Sequence, residues 1–163
     1  MASAAAITFA ARPERDSHLM KRVLREKWLR VAPSKTHGTG VFAARPLKAG
    51  LRLGYYRGEV LTDAQASARY ADTSTPCHYV LALRNGAVNI DARDPATSNW
   101  TRYVNSPEGT RHAANCCYTG CGIVRTTAAI AEGEELLVNY GVAFTKAMLQ
   151  GAENQVSKLK TNK

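Results

Sequence analysis

The sequence predicts a mainly β domain built from several small sheets with short helices, and three observations carry that expectation. Short extended runs recur along most of the chain, at 28–32, 41–44, 51–56, 78–83, 87–91, 115–118, 122–126 and 136–139, with turn residues between them. The helical patterns are brief and do not alternate with the strands, which argues against a doubly wound nucleotide-binding sheet. A length of 163 residues is about one domain, enough to bury a core without disulfides or a metal.

Along the chain, residues 1–13 show no periodicity, and Pro13 closes them. Leu19, Met20, Val23, Leu24 and Trp28 then recur at helical spacing among arginines and lysines, so residues 1–26 read as a flexible tail and a basic amphipathic helix. A domain over 27–141 follows, and 142–163 is a C-terminal segment with Met148 and Leu149 on a helical start before a polar tail. Within the domain, Thr36-His37-Gly38 and Lys48-Ala49-Gly50 separate the first three extended runs. Thr62 with Gln65 three residues on forms a capping-box pattern, predicting a helix over 63–70 inserted between strands. Asn85-Gly86 between two apolar runs is a hairpin signal. Ser98 is placed to cap a second short helix through Tyr103, after which Pro107 and Gly109 break the chain. The Glu132-Gly133 turn precedes the last run.

Composition is that of a folded globular chain, 45% hydrophobic and 21% charged. The net charge of +9 is uneven: residues 1–50 carry ten Lys/Arg against three Asp/Glu, residues 51–140 eight against nine, and residues 141–163 four against one. The basicity lies in the flanks, which suit contact with nucleic acid, although no groove-reading motif accompanies them. No apolar run reaches a membrane span, and no membrane partner is expected. Arg12 and Arg15 in an Ala-rich start fit either an organelle transit peptide or a plain tail. Cys77, Cys116, Cys117 and Cys121 suggest buried free thiols in a reducing compartment rather than a disulfide framework. A zinc site with His112 is disfavoured, because adjacent cysteines point oppositely on a strand and no second Cys-x-x-Cys completes four ligands; no metal is expected. Glu59 and Asp91 are expected in backbone or ion-pair structure.

Four ordered stretches carry a resemblance. They are Gly38-Thr39-Gly40-Val41-Phe42-Ala43; Tyr56-Arg57-Gly58-Glu59 with the Asn89-Ile90-Asp91-Ala92 strand; Asn99-Trp100-Thr101-Arg102-Tyr103-Val104-Asn105-Ser106; and Ala114-Asn115-Cys116 with Gly133-Glu134-Glu135-Leu136-Leu137-Val138-Asn139-Tyr140-Gly141. Together they resemble the SET domain family, and the Asn-Trp-x-Arg-Tyr-Val-Asn wording is similar to its PR branch. The resemblance implies a β-clip of small sheets with a C-terminal pseudoknot. It further implies methyl transfer from S-adenosyl-L-methionine to a protein lysine, for which histone tails fit, with the nucleus as the expected location and the cytoplasm or an organelle as alternatives.

Residue by residue, the resemblance places Tyr140 beside the reacting atoms, Tyr79 as a second channel tyrosine, and Tyr118 as the residue restricting the product to one or two methyl groups. It assigns the cofactor to Gly38, Thr39, Gly40, Arg102, Asn105, Ser106 and Tyr140, with Asn105 either meeting the cofactor or supporting its loop, and Arg102 either neutralising a carboxylate or bracing the knot. The glycines are of a type that lets backbone approach a ligand closely. Displacement at an amine needs collinear partners and an uncharged nitrogen, so a near-neutral middle with an aromatic channel is suited to it. This chain departs from the family in reading Asn105-Ser106-Pro107 in place of Asn-His, Asn139 in place of an acid, and no cysteine-rich segment after Gly141, leaving Phe144, Met148 and the tail, or another chain, to close the channel. The departures permit an alternative, a PR-like protein-binding module of weak activity; a nucleic-acid adaptor using the basic flanks is the third reading. Oligomeric state is not legible.

Overall fold

The computed structural model describes residues 27–71, 78–84 and 86–141. The expected basic helix within 1–26, Cys77, Asn85, and the segment 142–163 with Phe144 and Met148 lie outside the described residues. In chain order the elements are β1 (Leu29–Pro33), β2 (Thr39–Ala43), β3 (Arg52–Tyr55), β4 (Glu59–Leu61), α1 (Asp63–Arg69), β5 (Val80–Leu83), β6 (Val88–Asp91), a 3₁₀ helix (Trp100–Tyr103), β7 (Cys116–Tyr118) and β8 (Ile123–Thr126).

The strands form three small antiparallel sheets. β1 and β2 make a ribbon, in register from Leu29 opposite Ala43 to Pro33 opposite Thr39. β3, β8 and β7 form a second sheet in that order, and β4, β6 and β5 a third. Between Arg52 and Gly54 the β3 register shifts by one residue, the bend expected of a bulge. A core shared by the first two sheets, the 3₁₀ helix and residues 136–138 contains Val41, Leu53, Trp100, Val104, Val124 and Leu136. Alternation explains the two sides of the ribbon strand β2: Val41 and Ala43 are fully buried, while Phe42 is only half-buried.

Most expected strands fall within two residues of the observed ones, and three details differ. β4 is not among the extended runs read from the sequence, because three residues over 59–61 show no alternation of their own and become a strand only by pairing with β6. The 3₁₀ helix is capped by Asn99 instead of Ser98: Asn99 is extended and its side chain accepts from the Thr101 N–H at 3.0 Å. The last run, 136–139, makes isolated bridges rather than a strand, since its neighbours Val41, Asn105 and Cys116 come from three separate places. Helix α1 has its full capping box, Thr62 accepting from Gln65 N and Gln65 from Thr62 N. The cysteines are graded in exposure, Cys116 buried, Cys117 half-buried and Cys121 exposed, which corrects the expectation that they are buried together. Burial, with Cys117 beside it, pushes the Cys116 thiol up to about 12, making it a packing group.

Helix α1 is tied to the third sheet by charge. Arg69 donates to Glu59 at 2.6 and 3.0 Å and to Asp91 at 2.9 Å. Asp91, 3% exposed, also accepts from the Tyr70 hydroxyl at 2.7 Å and from Arg93 N at 2.9 Å. Burial alone would raise the Asp91 carboxyl, but these hydrogen bonds and the Arg69 charge hold it below the usual carboxylate range. On the neighbouring turn, a Cβ at Gly58 would strike the carbonyl of Asp91.

Because the folded-state pKa of Asp91 is depressed, its stabilisation is fully present above the unfolded value of about 3.9 and is lost as pH falls through the folded value. Asp91→Asn is therefore expected to cost about 1–2 kcal/mol at neutral pH, and its urea midpoint should change less than the wild type's between pH 5 and pH 3. Gly58→Ala should destabilise by about 1–3 kcal/mol, because backbone must move to admit the methyl group; a chemical denaturation curve measures it.

Candidate functional site

The site is organised by the passage of residues 135–138 between two other segments. Leu136 N donates to Val41 O at 2.7 Å and Val138 N to Asn105 O at 2.9 Å. Asn115 N and Cys116 N both donate to Leu137 O at 3.0 Å. The Asn115 side chain closes the crossing from both ends, accepting from Leu137 N at 2.9 Å and donating to Glu135 O at 2.8 Å. With Asn105 and Cys116 paired in parallel to this one segment, the chain between them wraps the C-terminal stretch, forming the expected pseudoknot. The crossing delivers Tyr140 to the rim of the core, where its hydroxyl donates to Val104 O at 2.7 Å.

Four phenols meet here. Tyr118, from β7, stands edge-on to Tyr56 with centroids 5.5 Å apart and planes at 86°. The Tyr56 hydroxyl donates to Tyr79 O at 2.9 Å, and the Tyr79 ring lies under the Arg102 guanidinium at 4.2 Å. Burial raises the phenol of Tyr140, and the charges of Glu108, Tyr79 and Glu135 add to it. Tyr118 and Tyr56 are raised for the same first reason, each with Tyr140 among the further causes. All three are neutral phenols throughout the physiological range.

Arg102 is held by backbone, Nε donating to Ala92 O at 2.8 Å and Nη2 to Arg93 O at 3.0 Å, while its face covers Tyr79 and Tyr103. Of the two tasks foreseen for it, these contacts are those of a brace. Asn105 likewise acts on the loop: its Nδ2 donates to His37 O at 3.0 Å, Thr39 O at 3.1 Å and Glu135 Oε1 at 2.8 Å. Glu135 also accepts from Ser34 Oγ at 2.8 Å and Thr36 Oγ1 at 3.2 Å, so one carboxylate gathers β1, the glycine loop and the knot. The two glycines differ in purpose. At Gly40 a Cβ would overlap the Glu135 carboxylate and displace it from its donors, whereas Gly38, with φ of 46°, has open space beside it. Ser106, 3% exposed, has a buried Oγ with no hydrogen-bond partner among the described residues. Thr39 is exposed at the rim of the loop.

The residues foreseen from the sequence thus form two adjoining groups, Gly38, Thr39, Gly40, Asn105 and Ser106 on one side and Tyr79, Tyr118, Tyr140 and Arg102 on the other. Two residues without a foreseen role belong with them. Tyr56 bridges Tyr79 and Tyr118; its sequence signal is an aromatic ending an extended run before a glycine. Glu135 lies inside a quoted motif, and its signal is a carboxylate at the start of an otherwise apolar run.

The model of the SET domain matches residues 38–141 of the chain. Among solved structures, the methyltransferase domain of human PR domain-containing protein 2 is similar at 30% identity with a TM-score of 0.53, the match covering 85% of this chain and 90% of that one. The threaded crossing, the small sheets and the matched segment agree: the chain belongs to the SET domain family, whose members are generally protein lysine methyltransferases that use S-adenosylmethionine.

Proposed function

We propose that the protein is an S-adenosyl-L-methionine-dependent protein-lysine N-methyltransferase that adds one or two methyl groups, with histone tails among its substrates and the nucleus as its place of action. The observation that supports this most is the cluster of neutral phenols, Tyr56, Tyr79, Tyr118 and Tyr140, beside a glycine loop fixed by Asn105 and Glu135. Bound to the loop at Gly38–Gly40 and to Asn105 and Ser106, S-adenosyl-L-methionine would supply a methyl group on positively charged sulfur. The residues fit it: Ser106 has a buried hydroxyl without a partner among the described residues, and the side of Gly38 is open.

The chain's own residues account for the rest. A lysine amine attacks only when uncharged, and its ordinary pKa near 10.4 works against that. Phenol walls exclude water and so disfavour the ammonium, and Arg102, fixed on the Tyr79 ring, adds like-charge repulsion. Tyr140 is too strongly raised to serve as a phenolate base, so the amine's proton leaves through water. Its role is to orient, with the hydroxyl anchored on Val104 O. Tyr118, deep in the cluster, narrows the space left for methyl groups on the product nitrogen.

The alternative, a protein-binding module of weak activity, rests on Ser106 standing where the family usually has His. Its unpartnered hydroxyl offers one contact where an imidazole offers a ring. Cofactor affinity separates the readings, since a module that has lost the cofactor gives no heat with it in calorimetry.

The decisive assay is incubation of the full chain with radiolabelled S-adenosyl-L-methionine and a panel of histones and cell extract. Labelling of a protein substrate should fall about 10²-fold in Tyr140→Phe with cofactor affinity kept; equal labelling by both would remove Tyr140 from the reaction. Tyr118→Phe should shift the product toward trimethyllysine by mass spectrometry. Glu135→Ala strands donors on Ser34, Thr36 and Asn105 and should cost about 1–3 kcal/mol. Because the same donors shape the glycine loop, that variant should also bind the cofactor at least about tenfold more weakly by calorimetry.

A further inference from the structure

Segments 44–57 and 116–131 contain Arg45, Lys48, Arg52, Arg57 and Arg125 and not one Asp or Glu. They build the β3-β8-β7 sheet and the loop leading into it, and all five cations are exposed. Arg52 and Arg125 are directly opposite in the antiparallel register of β3 and β8. Like charges at such a pair are destabilising, yet among the described residues no carboxylate pairs with either one, and Arg52 donates to the Tyr55 hydroxyl at 3.3 Å. Lys48 joins them at the strand end, where its carbonyl accepts from Thr126 Oγ1 at 2.8 Å. Arg57 continues the line beyond β3, roughly 16 Å from Arg52 at strand rise. The acidic side chains gather elsewhere, Glu59, Asp91 and Asp94 around the groove of the third sheet and Glu135 under the glycine loop.

We propose that this sheet face binds the phosphodiester backbone of a nucleic acid, the paired Arg52 and Arg125 guanidiniums straddling phosphate. A line of roughly 16 Å passes about five phosphates of one strand of a duplex, and guanidinium matches phosphate oxygens with two donors. An acidic protein partner is disfavoured by what the face lacks. Protein interfaces rest on apolar anchors in their centre, and among the described residues the large exposed apolar side chains, Val31 and Val60, lie on other sheets. Backbone binding needs no such anchor. Arg52, Arg57 and Arg125 lie outside the basic flanks, and although Tyr118 is on β7 of the same sheet, the proposal does not depend on methyl transfer.

The test measures fluorescence anisotropy of a labelled 20-base-pair DNA duplex and a single-stranded RNA of equal length against the full chain across a salt series, with poly-glutamate as a third probe. Arg52→Gln/Arg125→Gln is compared with Arg84→Gln/Arg111→Gln, which removes the same charge from exposed positions elsewhere; thermal melts check that both fold. The expected result is binding of at least one nucleic acid, weakened tenfold or more in the first variant but not the second. The slope of log affinity against log salt should be shallower by about 1.8 on duplex DNA, or about 1.4 on single-stranded RNA, for two lost phosphate contacts. Equal affinity of the two variants would mean that the flanks or total charge bind, and would overturn the proposal. So would absence of nucleic-acid binding by the wild type at low salt. Preference for poly-glutamate with the same loss in the first variant would transfer the face to an acidic protein.

Discussion

The threading of Glu135–Val138 between Asn105 and Cys116 is the constraint on which the other features of the site depend. A three- or four-residue segment cannot hold its place by propensity, and here the N–H groups of Leu136, Leu137 and Val138 find acceptors from three different parts of the chain, Val41, Asn115 and Asn105. Val41 fixes one side, Asn105 the other, and Asn115 grips it through both its side-chain donor and its acceptor. The apolar side chains of Leu136 and Val138 fill the core at full burial, so the hydrogen bonds are made where water cannot compete and their loss would leave groups unsatisfied. Tyr140 follows two residues after Val138, and its position is inherited from that anchoring instead of from any local preference.

The same crossing explains how a polar residue comes to organise a mostly apolar site. Glu135 enters the threaded segment from the solvent-facing side and meets donors from Ser34, Thr36 and Asn105. A half-buried carboxylate is tolerated when several donors surround it, and this one converts a floppy turn over 34–40 into a fixed loop. Gly40 is the steric consequence, since the carboxylate occupies the volume where a side chain would go. Gly38 is freed from that task and leaves its side open, so the two glycines of one motif serve different needs.

How much of this was legible in the sequence follows from how local each cause is. The capping box at Thr62 and Gln65 and the hairpin around Gly86 act within a few residues, and the sequence predicts them. The apolar runs that became β2, β3, β7 and β8 are equally plain. β4 was not legible, because Glu59–Leu61 is a strand only through its register with β6. The cap of the 3₁₀ helix was misplaced by one residue because Ser98 and Asn99 are both good caps, and backbone geometry decides between them. Glu135 could be noticed as a carboxylate opening an apolar run, but its role could not be read: its partners are 101, 99 and 30 residues away, beyond the reach of any periodicity. The contacts of Asn105 and Arg102 could not be read from the sequence, because their acceptors lie on other segments of the chain.

The pattern of charge at the site also has a physical logic. Three phenols that stay neutral, Tyr56 buried and Tyr118 and Tyr140 partly buried, together with a guanidinium over a neighbouring ring, give a group of side chains that is polar but carries no negative charge of its own. A carboxylate placed there would hold an incoming ammonium in its charged form, which opposes attack. Two of the acids whose charge reaches the phenols are themselves engaged: Glu135 accepts from Ser34, Thr36 and Asn105 under the loop, and Asp91 from Arg69, Tyr70 and Arg93. Arg102 is secured by two backbone carbonyls, Ala92 O and Arg93 O, so its positive charge is fixed without being neutralised. A cation held by dipoles rather than by an opposite charge still repels another cation, which is the electrostatic condition that the proposed attack by an uncharged amine requires.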